Sequence, residues 1–256
     1  MTGEPDLGQT LLDRLDLAMA VRLAGSGDEQ ELLAVAQRFQ DCLYNTDRDA
    51  RWIAALLRLR GMLVLNDDAA DVLSAGQSRF RPGSQEHAMV TGLHDVLQMV
   101  RDRASRGVLP DGWFLVEAFK AMTRGIARFR NNAVRADAPW DAILYLRYPL
   151  VDELNYLLDT FDAEHRFRDF PRVFDRLHPV RQSFRVLWRF ARIAPFPDFN
   201  AVMAWVAMCA FLLAKGYPLL LPEPQDQALL QHVIAGPPPH KLVQFESRLL
   251  ATVETL

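Results

Sequence analysis

Residues 178–222 read HPVRQSFRVLWRFARIAPFPDFNAVMAWVAMCAFLLAKGYPLLLP. This stretch decides the fold. Pro179 sits where a helix takes proline, in its first turn, and the apolar pattern runs on to Ile193. Ala194-Pro195-Phe196-Pro197-Asp198-Phe199 interrupts it, and a second helix begins at Asn200 and ends near Lys215, with Gly216 as its left-handed stop. Residues 201–214 are apolar throughout. As a helix they span about 21 Å, short of the ~30 Å of a bilayer's hydrocarbon, so they predict a central helix buried on all sides.

Working outward, the helical period continues on both sides. Leu11, Leu12, Leu15, Met19 and Leu23 share one face, after a loose tail over 1–10. Helices follow after Asp28, over 48–60 with Gly61 as stop, from an Asn66 cap to Gly76, over 85–106, and from an Asp111 cap to Gly125. Residues 126–139 break the period, and Asn131-Asn132 predicts the turn of a small hairpin. Helices resume near 150–161, 170–177, 225–234 and 241–255. The sum is an all-α chain of about ten helices, read as an N-terminal extension over 1–80 and a main domain over 81–256.

Composition narrows the function. Half of the 256 residues are hydrophobic, enough to exclude global disorder. Lys plus Arg number 29 against 32 Asp plus Glu, a net charge of -3 that disfavours a nucleic-acid partner. Three lysines against so many arginines are the bias a GC-rich genome gives and carry no chemistry, and a bacterial source is expected. Cys42 and Cys209 lack the spacing of a disulfide framework or a zinc site, and His87, His94, His165, His232 and His240 share no metal-ligand spacing. MTGEPDLGQT is acidic and unlike a signal peptide, so a cytoplasmic, non-membrane protein is expected.

The loop and its flanks resemble the Fic (Fido-fold) domain family, whose signature reads H-P-F-x-D/E-G-N-G-R-x-x-R. The matching stretch is Ala194-Pro195-Phe196-Pro197-Asp198-Phe199-Asn200-Ala201-Val202-Met203-Ala204-Trp205. His178-Pro179-Val180 stands sixteen residues before Ala194, and Gly216-Tyr217-Pro218 stands twenty-two after it, both at the family's distances and without a gap. A register starting the signature at His178 puts Ser183-Phe184-Arg185 on G-N-G and misplaces the G-Y-P turn, and is rejected. Upstream, Phe129, Arg130 and Val134 match the family's flap, without the glycine that precedes its Phe-Arg pair. Leu56-Leu57-Arg58-Leu59-Arg60-Gly61 falls on the inhibitory S/T-x-x-x-E-G, with Arg60 in place of the glutamate. The resemblance implies a Fic helical fold with a small β-hairpin flap.

The resemblance also implies an activity, transfer of AMP or another phosphate-linked group to a protein hydroxyl with Mg²⁺. Here the residues depart from it. The signature histidine is the general base, and Ala194 has no basic atom. Phe199 and Ala201 replace the glycines that turn backbone N–H groups toward phosphate, and their Cβ atoms disfavour the positive-φ turn. Val202 and Trp205 replace the two arginines. Pro195, Phe196, Asp198 and Asn200 survive, with Asp198 at the family's Mg²⁺ position.

The expectation is therefore a catalytically degenerate Fic-like protein, a non-enzymatic interaction or regulatory module with a protein partner and no cofactor. The alternative is an active, AMPylation-like transferase with ATP and Mg²⁺, or another phosphate donor, using Asp198, His178 or another residue as base. A relic of an effector or toxin system acting by binding alone is a third. Simpler roles stand beside these. Asp198 and Asn200 are expected to cap the following helix, Met203, Trp205 and Met208 to be core, and His178 to begin its helix. Arg181, Arg185, Arg189 and Arg192 form a basic stripe, expected to be a solvated face paired with Asp169 and Asp175 rather than an anion surface.

Overall fold

A computed structural model of the chain describes residues 7–24, 46–74, 78–125, 128–131, 148–161 and 171–255. The helices are α1 (Leu7–Ala24), α2 (Thr46–Arg60), α3 (Asn66–Leu73), α4 (Gln85–Ser105), α5 (Gly112–Met122), α6 (Leu154–Asp159), preceded by a 3₁₀ turn at Val151–Glu153, α7 (Pro171–Phe174), α8 (Pro179–Ile193), α9 (Asn200–Ala214), α10 (Asp226–Ala235) and α11 (Val243–Glu254). The all-α expectation holds, and the described residues contain no strand. Of the expected hairpin only residues at 128–131 are described, while Asn132 and Val134 lie outside the described residues, as do the helix expected after Asp28, Cys42 and His165.

The helix α9 is the axis of the molecule. Every residue from Asn200 to Leu212 is buried, so it has no solvent face to make amphipathic. It packs along α8 and is crossed by α2, α4 and α5. The helix α8 contributes Val180, Phe184, Leu187, Phe190 and Ala191 to the interior. A single apolar cluster runs from Leu12 on α1 through Trp52 on α2 to Val253 on α11. Two local devices bring these helices close. A Cβ at Gly92 on α4 would lie 2.2 Å from the Met122 carbonyl oxygen at the end of α5, so only glycine lets the two backbones touch. Between α2 and α4, Arg101 grips Asp49 with a bidentate pair (2.6 Å for one bond), both residues being buried.

Helix ends refine the sequence picture. The Asp111 side chain accepts from the Phe114 N–H at 2.7 Å, capping α5 as expected. Gly216, at φ 84°, follows the C-terminus of α9. The cap of α3 is different. Asn66 lies within its first turn and accepts from Arg58, while Asp68 reaches back to the Leu65 N–H at 2.7 Å. Residues 7–10 belong to α1 rather than to a loose tail. The segment near 150–161 splits into a 3₁₀ turn and a short helix, and α7 is one turn long. No helix among the described residues is long and apolar enough to cross a membrane.

Candidate functional site

The loop between α8 and α9 is built from its own polar contacts. Ala194 terminates α8 in the left-handed region, at φ 43° and ψ 62°, and is fully buried. Asn200 closes the loop like a clasp. Its Oδ1 accepts from the Phe196 N–H and its Nδ2 donates to the Phe196 carbonyl, each at 2.9 Å, and it has no exposed surface. Phe196 stacks on Phe119 of α5 with ring centroids 3.7 Å apart and an interplanar angle of 6°. Arg130, from the flap segment, is buried beneath the loop. Its backbone N–H donates to Pro195 O at 2.9 Å, and its guanidinium donates to Ala194 O at 2.7 Å and Pro149 O at 2.6 Å. Arg130 thus satisfies carbonyls that the end of α8 leaves open.

Phe199 carries the turn into α9. It adopts φ 60° and ψ 18° although it has a Cβ, so the positive-φ turn survives the loss of glycine. This corrects the expectation from sequence. The left-handed conformation costs a non-glycine residue roughly 1–2 kcal/mol. Two contacts offset it: the ring is buried, and Asp198 Oδ1 accepts from the Phe199 N–H at 2.5 Å. Neither Asp198 nor Asn200 caps α9 as expected, because both spend their side chains inside the loop, and no side chain caps this helix.

The least expected contact joins the loop to α2. The Arg60 guanidinium straddles Asp198, with Nε donating to Oδ1 and Nη2 donating to Oδ2 at 2.7 Å. It also lies over the Phe199 ring, 5.6 Å from the centroid. The side chains are only 26% and 33% exposed, so the last turn of α2 closes over the N-terminal side of α9. Position 205 is equally closed. Trp205 is fully buried, its indole donates to Leu220 O at 2.8 Å, and its ring meets Phe245 edge-on at 5.3 Å. Ala201 and Val202 are buried beside it, and Met203 and Met208 are core as expected.

Comparison with solved structures now bears on the architecture. A Fic domain containing signaling protein from Bacteroides thetaiotaomicron VPI-5482 superposes with a TM-score of 0.66 at 13% identity, covering 96% of this chain and 94% of that one. This chain has the Fic fold. A Fic family protein from Desulfovibrio desulfuricans G20 (TM-score 0.64, 16% identity, 99% and 74% covered) and Fic-1 from C. elegans (0.65, 12%, 97% and 71%) share it. No family model and no curated protein matches the sequence.

On the Fic fold, the residues present do not fit ATP and Mg²⁺ at this loop. A Mg²⁺ shared with nucleotide phosphates needs a carboxylate oxygen free to bind it, whereas both oxygens of Asp198 accept from Arg60. No three His, Cys, Asp or Glu side chains group as a metal site among the described residues. Neither Val202 nor Trp205 brings a cation, and both are buried.

The substitute base His178 lies at the other end of α8, about 22 Å away at 1.5 Å per residue over its 15 residues. There it begins its helix as expected. Nδ1 accepts from the Val180 N–H at 3.2 Å, and Nε2 lies 3.0 Å from Asp16 Oδ2 on α1. The Tyr217 hydroxyl donates to Asp16 Oδ1 at 2.8 Å, and burial, aided by Asp16, pushes that phenol well above its ordinary range. This triad ties α1 to the turn after α9. The arginine stripe also departs from expectation, for it is no solvated face. Arg181 pairs with fully buried Glu246 at 3.0 Å, Arg185 is buried with Nη2 3.1 Å from His240 Nδ1, and Arg192 donates to Ile234 O at 2.8 Å. Burial holds the Arg185 and Arg192 guanidinium groups below the usual arginine range. The stripe fastens α8 to the C-terminal segment, while Asp169 lies outside the described residues.

Proposed function

We propose that this chain is a catalytically degenerate Fic-like protein, a pseudoenzyme that serves as a non-enzymatic interaction or regulatory module for a protein partner. The carrying observation is position 194. The family's general base must present a ring nitrogen to an attacking hydroxyl, and here a methyl group with no exposed surface stands in its place, its carbonyl pinned by Arg130. The contact of Arg60 with Asp198 and the burial of Trp205 support the same reading. Electrostatic stabilisation of a transferring phosphoryl group needs preorganised cations or N–H groups aimed at it, and here the side chains of Asp198, Asn200 and Trp205 are committed to Arg60, Phe196 and Leu220.

A protein partner finds apolar surface beside the loop. Trp113 is 43% exposed, its ring lies 6.4 Å from Phe129 of the flap segment, and both flank a cleft of about 160 Å³ floored by Phe196 and rimmed by Lys120 and Arg128. Tryptophan and arginine at the edge of a pocket are the residue types that anchor protein interfaces.

Transfer chemistry tests the reading directly. The full chain is incubated with Mg²⁺ and isotope-labelled ATP, GTP, UTP or CDP-choline, alone and with cell extract, and labelled protein is read by mass. The expected result is no transfer above that of heat-denatured protein. Transfer that depends on the folded chain overturns the proposal.

A further inference from the structure

A second concavity, of about 540 Å³, opens between one face of α2, the segment 220–224 and α11, and no residue of the 194–205 loop lines it. Arg48, Arg51, Ala55 and Arg58 recur on α2 at spacings that put them on one face, turned toward this cavity. Arg248 faces them from α11, and Leu220 and Pro222 provide an apolar floor.

The guanidinium groups differ in how they are held. Arg248 is fixed between Glu223 and Asp226, with ion-pair distances of 3.0 and 2.9 Å. Asp226 is itself buried, and desolvation raises its carboxyl above the ordinary range in spite of Arg248. Arg58 is held rigidly by neutral acceptors, Val64 O at 2.8 Å and Asn66 Oδ1 at 3.2 Å, so its position is set while its charge is not neutralised. Arg51 is exposed and forms no hydrogen bond or ion pair among the described residues. Among the described residues of the lining, Glu223 is the one acid.

We propose that this cavity is a binding site for a small molecule bearing adjacent phosphate groups, with Arg51 and Arg58 as its principal contacts. Planar guanidinium forks match phosphate oxygens in pairs, and Arg51 and Arg58, seven residues apart on one helical face, leave the backbone two turns, about 10 Å, apart, a spacing from which two long side chains can converge on adjacent phosphates. The concave shape and the size, within the range of small-molecule sites, favour such a ligand over an extended acidic chain. The site is independent of the degenerate loop and does not rest on the proposal made for it.

Calorimetric titration of the full chain with inorganic pyrophosphate, at ionic strength held constant with sodium chloride, tests this. The expected result is one equivalent bound with Kd at or below about 1 mM. Arg51→Glu and Arg58→Gln should each weaken it by about tenfold or more, and Arg106→Gln, an exposed arginine that does not line the cavity, by less than about twofold. Arg51 is exposed, so its variant folds and remains informative if Arg58→Gln does not. Absence of binding up to about 10 mM pyrophosphate, or binding that survives Arg51→Glu, or equal weakening by Arg106→Gln, overturns the proposal.

Discussion

Placing at position 60 the glutamate of the resembled Fic inhibitory motif should harm this protein, and the structure sets how much. In the parent, Arg60 and Asp198 form a two-pronged contact at 26% and 33% exposure, 138 residues apart in sequence. At a charge separation of about 4 Å the attraction is ~1 kcal/mol in water and ~4 kcal/mol at an effective dielectric near 20. The exposures place the pair between these limits. Ordering a long arginine side chain and removing part of its hydration offset much of the gain, which leaves a net coupling of about 1 kcal/mol. The measurement is a double-mutant cycle of Arg60→Gln and Asp198→Asn by urea unfolding, since both amides keep hydrogen-bonding capacity while removing charge. Arg60→Glu loses the attraction and adds repulsion, for a total cost of about 2 kcal/mol, or roughly 4–8 °C in Tm for a chain of this size. In 1 M salt, where the screening length is about 3 Å, the coupling should fall by half or more. A coupling below about 0.3 kcal/mol, or an Arg60→Glu variant as stable as the parent, would refute the claim that α2 is held to the loop by charge.

Further substitutions read the same site. Ala194→His should yield no nucleotide transfer by the labelling assay, because the imidazole enters a buried position and the phosphate-binding groups remain absent. Arg130→Met should cost about 2–4 kcal/mol in urea unfolding, since it strips the buried Ala194 carbonyl and the half-buried Pro149 carbonyl of a charged donor. Trp205→Arg, which introduces the arginine of the resembled Fic signature, should cost more than about 4 kcal/mol or prevent folding, as it places an unpaired charge in the core. Burial pushes the Cys209 thiol up to about 12, so it should resist iodoacetamide at pH 8.5 in the folded protein and react after denaturation, as read by peptide mass. The same shift has a sign: above the ordinary thiol range only the unfolded chain releases this proton, so its contribution to stability declines as pH rises from there towards 12.

Local signals were legible in the sequence and distant pairings were not. The α8 boundaries, the Asp111 cap and the Gly216 stop follow from residues within one turn of each end, where proline, aspartate and glycine each have a conformational reason to stand. The burial of α9 follows from its unbroken apolar run. The pairing of Arg60 with Asp198 has no local signature, since neither residue's neighbours specify a partner across the fold. The arginine stripe misled for the same reason. Its helical spacing gives a face, but whether that face meets water or Glu246 and His240 depends on where α11 and its approach return. Phe199 misled differently: propensity argues against a left-handed phenylalanine, and burial together with the Asp198 contact overrides propensity.

The loop separates two kinds of residue that the family signature mixes. Pro195, Phe196 and Asn200 act on the loop itself, through the Asn200 clasp and the Phe196 stack on Phe119, and these residues retain the signature identity. Positions 194, 199, 201, 202 and 205 would face a nucleotide in the resembled family, and each now carries an apolar side chain turned into the interior. A cation or glycine kept for phosphate is a cost to the empty fold, as an unpaired charge or a loss of buried surface. An apolar replacement removes that cost, and a buried side chain of Val or Phe size adds about 1.5–3 kcal/mol of transfer free energy. Asp198 is the exception, a polar residue among those of the second kind, and Arg60 explains how it is tolerated by supplying the positive charge that its carboxylate contacts. Removing Arg60 alone should therefore destabilise more than removing both charges together, because only the single change leaves a half-buried carboxylate without its partner.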